Sequence, residues 1–82
     1  MEIDYDAPES PYHQIAAWLR GRIESGELQP GRKTPSETDL VQEFGVARTT
    51  ARRAVKLLRE EGWIVTVGGR GSYVAAEPPS EP

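Results

Sequence analysis

The chain contains no cysteine. A disulfide framework, a thiolate metal centre and a cysteine nucleophile are therefore excluded. It has a single histidine, His13, near the start of the first apolar repeat, where a surface or capping role is expected. With one imidazole and no carboxylates clustered in a glycine-rich pocket, neither a catalytic triad nor a metal centre can be assembled. No enzymatic activity, cofactor or metal is expected. Long apolar runs are also missing: nothing approaches the roughly 18 residues of a membrane span. The opening "MEIDYDAPES" lacks the basic start of a secretory signal. A chain of 82 residues with these absences reads as one small cytoplasmic domain.

Positive charge is in short supply overall but not locally. The formal net charge is -3, from 10 basic and 13 acidic residues. Six of the acids lie at the ends, which carry no base: Glu2, Asp4, Asp6 and Glu9, then Glu77 and Glu81. Seven acids remain against all ten bases. Half of those bases, Arg48, Arg52, Arg53, Lys56 and Arg59, fall within twelve consecutive positions. The local field, and not the summed charge, governs attraction to a polyanion. The acidic, Pro-bearing segments 1–10 and 76–82 have little to bury and are expected to be disordered tails around a folded unit over 11–75.

Within that unit the punctuation is clear. Ser10 and Pro11 read as an N-cap and first helical residue. Tyr12, Ile15, Ala16, Leu19 and Ile23 repeat at helical spacing, and Gly26 stops the helix. "ELQPGRK" is a connector, with Leu28 expected in the core. A short second helix can be capped by Ser36, with Asp39 completing a capping box, or by Thr34 with Pro35 as its first residue. Leu40, Val41 and Phe44 share its inner face, and Gly45 ends it. Only Val46 and Ala47 separate Gly45 from a third helix over about Arg48 to Glu61, stopped by Gly62. Two helices around a tight turn form a helix-turn-helix. "WIVTV", "GGRG" and "SYVA" then read as a β-hairpin. The expected class is α+β, mainly α: a winged helix-turn-helix of three helices and a β-hairpin wing.

At about 100° per residue, Arg48, Thr49, Arg52, Arg53, Lys56 and Arg59 occupy an arc of about 140° on the third helix. Ala51, Ala54, Val55 and Leu58 occupy a separate arc of about 100°. The apolar arc can dock on the other helices while the basic arc faces outward. Such an arrangement suits double-stranded DNA. The helix N-terminus attracts phosphate, and Thr49 and Thr50 are short enough to bond it. Arg48 and Arg52, one turn apart, can pair with guanine O6 and N7 in the major groove. Lys56 and Arg59 are better placed for the backbone. Each feature also has a plainer reading: a solvated basic face, ordinary first-turn threonines, and a simple hairpin turn in place of a wing whose glycines Gly69 and Gly71 bring Arg70 to a minor groove.

The segments "YHQIAAWLRGRIESGELQPG", "PSETDLVQEFGVARTTARRAVKLLREEGW" and "GGRGSYV" resemble the DNA-binding domain of the GntR, or gluconate-operon repressor, family of bacterial transcription regulators. The resemblance covers about residues 11–75. It implies a winged helix-turn-helix that binds a palindromic operator, as a homodimer on DNA. It implies base-reading roles for Arg48 and Arg52, phosphate contacts for Thr49 and Thr50, a place for Glu37 near the DNA, and a wing tip around Gly69.

Four positions depart from the family's usual residues. Thr34 stands for an apolar residue, which weakens a core contact. Thr38 stands where many members carry Arg. Ala47 replaces a capping Ser or Thr, a loss of about 1 kcal/mol. Ala51 replaces a larger apolar residue. A domain of modest stability is expected. The resemblance implies a C-terminal effector-binding and dimerisation domain in family members; within these 82 residues no small-molecule effector is expected to bind, and any dimer of this chain is expected to form through the winged domain, DNA or another protein. The rival reading is a protein-interaction module using the acidic tails or helix faces. It would call for apolar or aromatic anchors on the third helix, where the outward arc carries Arg, Thr and Lys.

Overall fold

Every helix boundary except the start of α3 coincides with a residue that either prefers to start a helix or cannot continue one. In a computed structural model, which describes residues 2–79, α1 spans Pro11–Glu24, α2 Glu37–Phe44 and α3 Arg48–Glu60, followed by β1 (Ile64–Val67) and β2 (Gly71–Val74). Gly26, Gly45 and Gly62 end the three helices with φ of 85°, 66° and 86°. That left-handed region is cheap only for glycine. Ile15, Ala16, Leu19 and Ile23 form the buried stripe of α1, and Ala51, Ala54, Val55 and Leu58 that of α3. Leu40 of α2, Val46 of the turn, and Trp63, Ile64 and Val74 of the hairpin close one core over them, with Leu28 packed at its margin. Trp18 of α1 meets Phe44 of α2 edge-on at 5.1 Å, and Arg20 of α1 pairs with Glu61 at 3.2 Å beyond the end of α3.

The start of α2 is decided by non-local bonding. The Ser36 hydroxyl accepts from the Asp39 N–H at 3.0 Å, and the Asp39 carboxylate accepts from the Ser36 N–H at 2.9 Å. Thr34 is committed elsewhere. It is buried, and both its N–H (2.9 Å) and its hydroxyl (3.1 Å) donate to the carbonyl of Ser72 on β2. The hydroxyl expected to weaken the core is thus fully satisfied, as a buried polar group must be to avoid a desolvation penalty. Ala47, by contrast, stands at the N-cap of α3 with no side-chain bond.

Asp39 is fully exposed, and its carboxyl is held below the ordinary value of 3.8, first by the Ser36 backbone N–H and then by the Ser36 hydroxyl. A carboxyl with a depressed folded pKa stabilises the fold above its ordinary value. That contribution is lost as pH falls from 3.8 through the lower, folded value. Asp39→Asn should therefore flatten the acid limb of the melting-temperature profile below that point. A limb unchanged by the substitution would show that the capping box contributes nothing.

Two segments differ from the sequence expectation. The connector reaches further than a loop. Lys33 forms a bridge with Tyr73, the Gly31 N–H donates to the Val74 carbonyl at 3.0 Å, and the Val74 N–H donates to the Arg32 carbonyl at 2.8 Å. Residues 31–34 thereby flank β2 on the side away from β1, whose own register runs from Ile64↔Val74 to Val67↔Gly71. The N-terminal segment, expected to be disordered, is also tied down. Ile3 packs against the core. The Gln14 side chain accepts from the Asp4 N–H at 2.9 Å and donates to the carbonyls of Asp4 and Glu9 at 2.8 and 2.9 Å. One glutamine side chain thus bonds three backbone groups of the segment, a contact that composition cannot reveal. Residues 80–82 of the expected C-terminal tail lie outside the described residues.

Candidate nucleic-acid interface

The inner stripe of α3 orients its outer arc. With Ala51, Ala54, Val55 and Leu58 buried, Arg48, Thr49, Arg52, Arg53, Lys56 and Arg59 are all exposed, and Thr50 is half-buried. The first turn of α3 lies against the first turn of α2. Arg48 donates through one terminal nitrogen to the Thr38 hydroxyl at 3.0 Å and approaches the Glu37 carboxylate with the other at 3.8 Å. The Nε of Arg52 lies 3.5 Å from the same carboxylate oxygen. Four of the sequence candidates, Glu37, Thr38, Arg48 and Arg52, therefore form one cluster.

Arg53 does not join it. Its guanidinium lies 4.2 Å from the centroid of the Tyr12 ring on α1, a cation–π contact, and that ring also stacks on His13 at 4.1 Å. On the helix wheel Arg53 stands at the edge of the basic arc, and an aromatic neighbour on another helix draws it further away. Lys56 remains exposed. Arg59 donates to the Thr66 hydroxyl at 3.1 Å, and Thr66 and Ser72 share a hydrogen bond at 3.3 Å. This chain of bonds ties the wing to α3.

The wing tip is a tight turn closed by the Arg70 N–H donating to the Val67 carbonyl at 3.0 Å. Gly69 has φ 75° and Gly71 φ 112°, conformations that a side chain would strain. Arg70 between them is exposed. A Cβ at Gly71 would lie 3.1 Å from the Lys33 Cε, the far end of an exposed side chain that can give way, so the positive φ is what calls for glycine there. Between wing, α2 and α3 lies a hollow of about 340 Å³ whose walls include Lys33, Arg48, Arg59, Thr66 and Ser72. Lys33 belongs to this basic surface, yet sequence reasoning passed over it as a connector residue. Its only sequence signal is the Arg32–Lys33 pair just before α2. A larger hollow, about 550 Å³, lies between α1 and α2, and Glu27, Asp39 and Glu43 stand in its wall beside Trp18 and Arg22. Three carboxylates would repel a polyanion, so size does not mark the site here. Among the described residues no group of acids and histidine could hold a metal ion, and no helix is long and apolar enough to cross a membrane.

A helix-turn-helix with an outward basic helix and a hairpin bonded to it defines the winged helix-turn-helix class. Residues 11–74 match the sequence model of the bacterial regulatory proteins of the gntR family, and the chain belongs to that family, one of regulators and not of enzymes. It is 39% identical over 75 residues to the HTH-type transcriptional repressor NagR of Bacillus subtilis, a match covering 92% of this chain and 31% of that protein. It is 44% identical over 66 residues to the mannosyl-D-glycerate transport/metabolism system repressor MngR of Escherichia coli, covering 80% of this chain and 28% of that protein. The chain thus spans less than a third of these relatives' length. Among solved structures, the fold matches the DNA-binding domain of AraR in complex with operator ORX1 with a TM-score of 0.79 at 32% identity, over 92% of this chain and 95% of that one. YtrA from Sulfolobus acidocaldarius, a GntR-family transcription factor, matches with a TM-score of 0.83 at 33% identity, over 99% of this chain and 68% of that one.

Proposed function

We propose that this chain is the operator-binding part of a transcriptional repressor, with α3 in the major groove and the Gly69–Gly71 turn bringing Arg70 to a minor groove. The observation that carries the reading is the exposed pair Arg48 and Arg52, one turn apart at the start of α3. The names of the relatives, repressors in both cases, and the operator bound to the AraR domain support it. In this reading Arg48 and Arg52 meet base edges. Thr49, Thr50, Arg53, Lys56 and, at the base of the wing, Lys33 and Arg59 meet phosphate. The target is a palindrome occupied by two copies, since half-site symmetry in such operators mirrors a two-fold protein arrangement. No effector or cofactor acts through this domain. Selection of bound duplexes from a random pool, at low and at physiological salt, tests the proposal. A palindromic motif is the expected result, whereas binding without a motif that vanishes as salt rises would overturn it.

Lys56 provides a graded check. Lys56→Ala is expected to weaken selected and unselected duplexes alike and to make the log–log salt dependence shallower by about one, the loss of one phosphate contact. A loss confined to the selected duplex would instead make Lys56 a base reader.

A further inference from the structure

We infer that Glu37 is a positioning residue that withholds Arg48 and Arg52 from phosphate and thereby sets discrimination between DNA sequences more than affinity. The inference rests on α3 being the base-reading helix. One carboxylate oxygen serves both guanidiniums, at 3.8 and 3.5 Å. These separations suit an ion pair but exceed the roughly 2.7–2.9 Å of a tight charge-assisted hydrogen bond. Glu37 therefore orients the two arginines without consuming their hydrogen-bonding capacity.

The way each arginine is held matters. Arg52 is engaged through Nε, which leaves both terminal nitrogens free for the bidentate fork that guanine O6 and N7 accept. Arg48 is held through its terminal nitrogens, one by the Thr38 hydroxyl and the other by Glu37, so its plane is set by α2 from two sides. The first turn of α2 that carries Glu37 and Thr38 is itself held by the reciprocal bonds between Ser36 and Asp39. The carboxylate thus has a fixed base from which it biases where the two guanidiniums rest.

A phosphate has no way to benefit from this arrangement. Sequence-independent binding is driven by charge and counterion release, and Glu37 cuts the local charge of the arginine pair from two to one. The same carboxylate repels an approaching phosphate. A guanine edge is neutral, meets the free N–H groups of the fork, and does not oppose Glu37. One acidic side chain at the centre of the basic surface therefore lowers background binding while the base-reading geometry is retained.

The test uses the full chain, a fluorescent duplex of unselected sequence and a duplex selected by the wild type, with binding followed by anisotropy across a salt series. Glu37→Gln is expected to bind the unselected duplex about 5–10-fold tighter near 0.1 M salt, with a log–log slope steeper by about one, and to prefer the selected duplex less than the wild type does. Glu37→Asp, which keeps the charge, should stay close to wild type in slope. Glu37→Gln with an unchanged slope and preference, or with both duplexes weakened alike and a lowered melting temperature, overturns the inference and leaves the DNA-binding reading intact. A wild-type chain that binds no duplex at low salt, or that selects no motif, overturns both.

Discussion

Replacing Arg48 and Arg52 together by alanine is expected to erase the preference for a selected operator over an unselected duplex. Each bidentate arginine–guanine pair is worth about 1–3 kcal/mol of discrimination, so the double variant should lose roughly 2–6 kcal/mol on the selected duplex. The unselected duplex should lose less, because only two charges are removed from a surface that keeps Lys33, Arg53, Lys56, Arg59 and Arg70. Dissociation constants for both duplexes at one salt concentration give the comparison. Folding should be spared. The two side chains are 50% and 61% exposed, and exposed substitutions of this kind usually shift stability by no more than about 0.5 kcal/mol. Discrimination that survived in the double variant would move base reading to Thr49, to the wing or to Glu37 itself.

Leu58→Ala should have the largest effect on stability. Leu58 is fully buried on the inner face of α3, and its carbonyl accepts from the Trp63 N–H at 2.9 Å where the chain leaves the helix for the wing. Its neighbours on the same face include Ala51 and Ala54, side chains too short to fill the space a leucine vacates. Substitutions of this type cost about 2–5 kcal/mol, the upper end applying where the cavity cannot collapse. At about 0.05–0.15 kcal/mol per residue, a domain of this length has only some 4–12 kcal/mol in hand. Urea unfolding should show a large fall in midpoint with little change in slope. A loss below about 1 kcal/mol would mean that α3 is not the element on which the other helices and the wing are assembled.

Expectation and structure agree where the governing interactions are local. Helical spacing identified the buried stripes of α1 and α3, because a 3.6-residue repeat assigns each side chain a direction regardless of what it meets. Gly26, Gly45 and Gly62 marked helix ends because backbone sterics act within a residue or two. The hairpin was readable from β-branched residues around "GGRG", and Ala47 as an uncapped helix start from its departure from the family's usual Ser or Thr. Family resemblance added which residues of the basic arc to favour.

Amino-acid order alone therefore determined the three helices, the wing, the basic arc of α3 and the apolar arc behind it. Tertiary structure decided what each long side chain and each unpaired backbone group actually meets. It directed Thr34 to Ser72 and left Ser36 to cap α2, laid residues 31–34 along β2, and turned Arg53 onto Tyr12 and Arg59 onto Thr66. It also brought Arg48 and Arg52 to a single carboxylate. The physical reason is reach. A wheel fixes the direction in which an arginine leaves its helix, but its guanidinium travels several ångströms on a flexible stem and settles beside whichever acceptor or ring the folded chain has placed there.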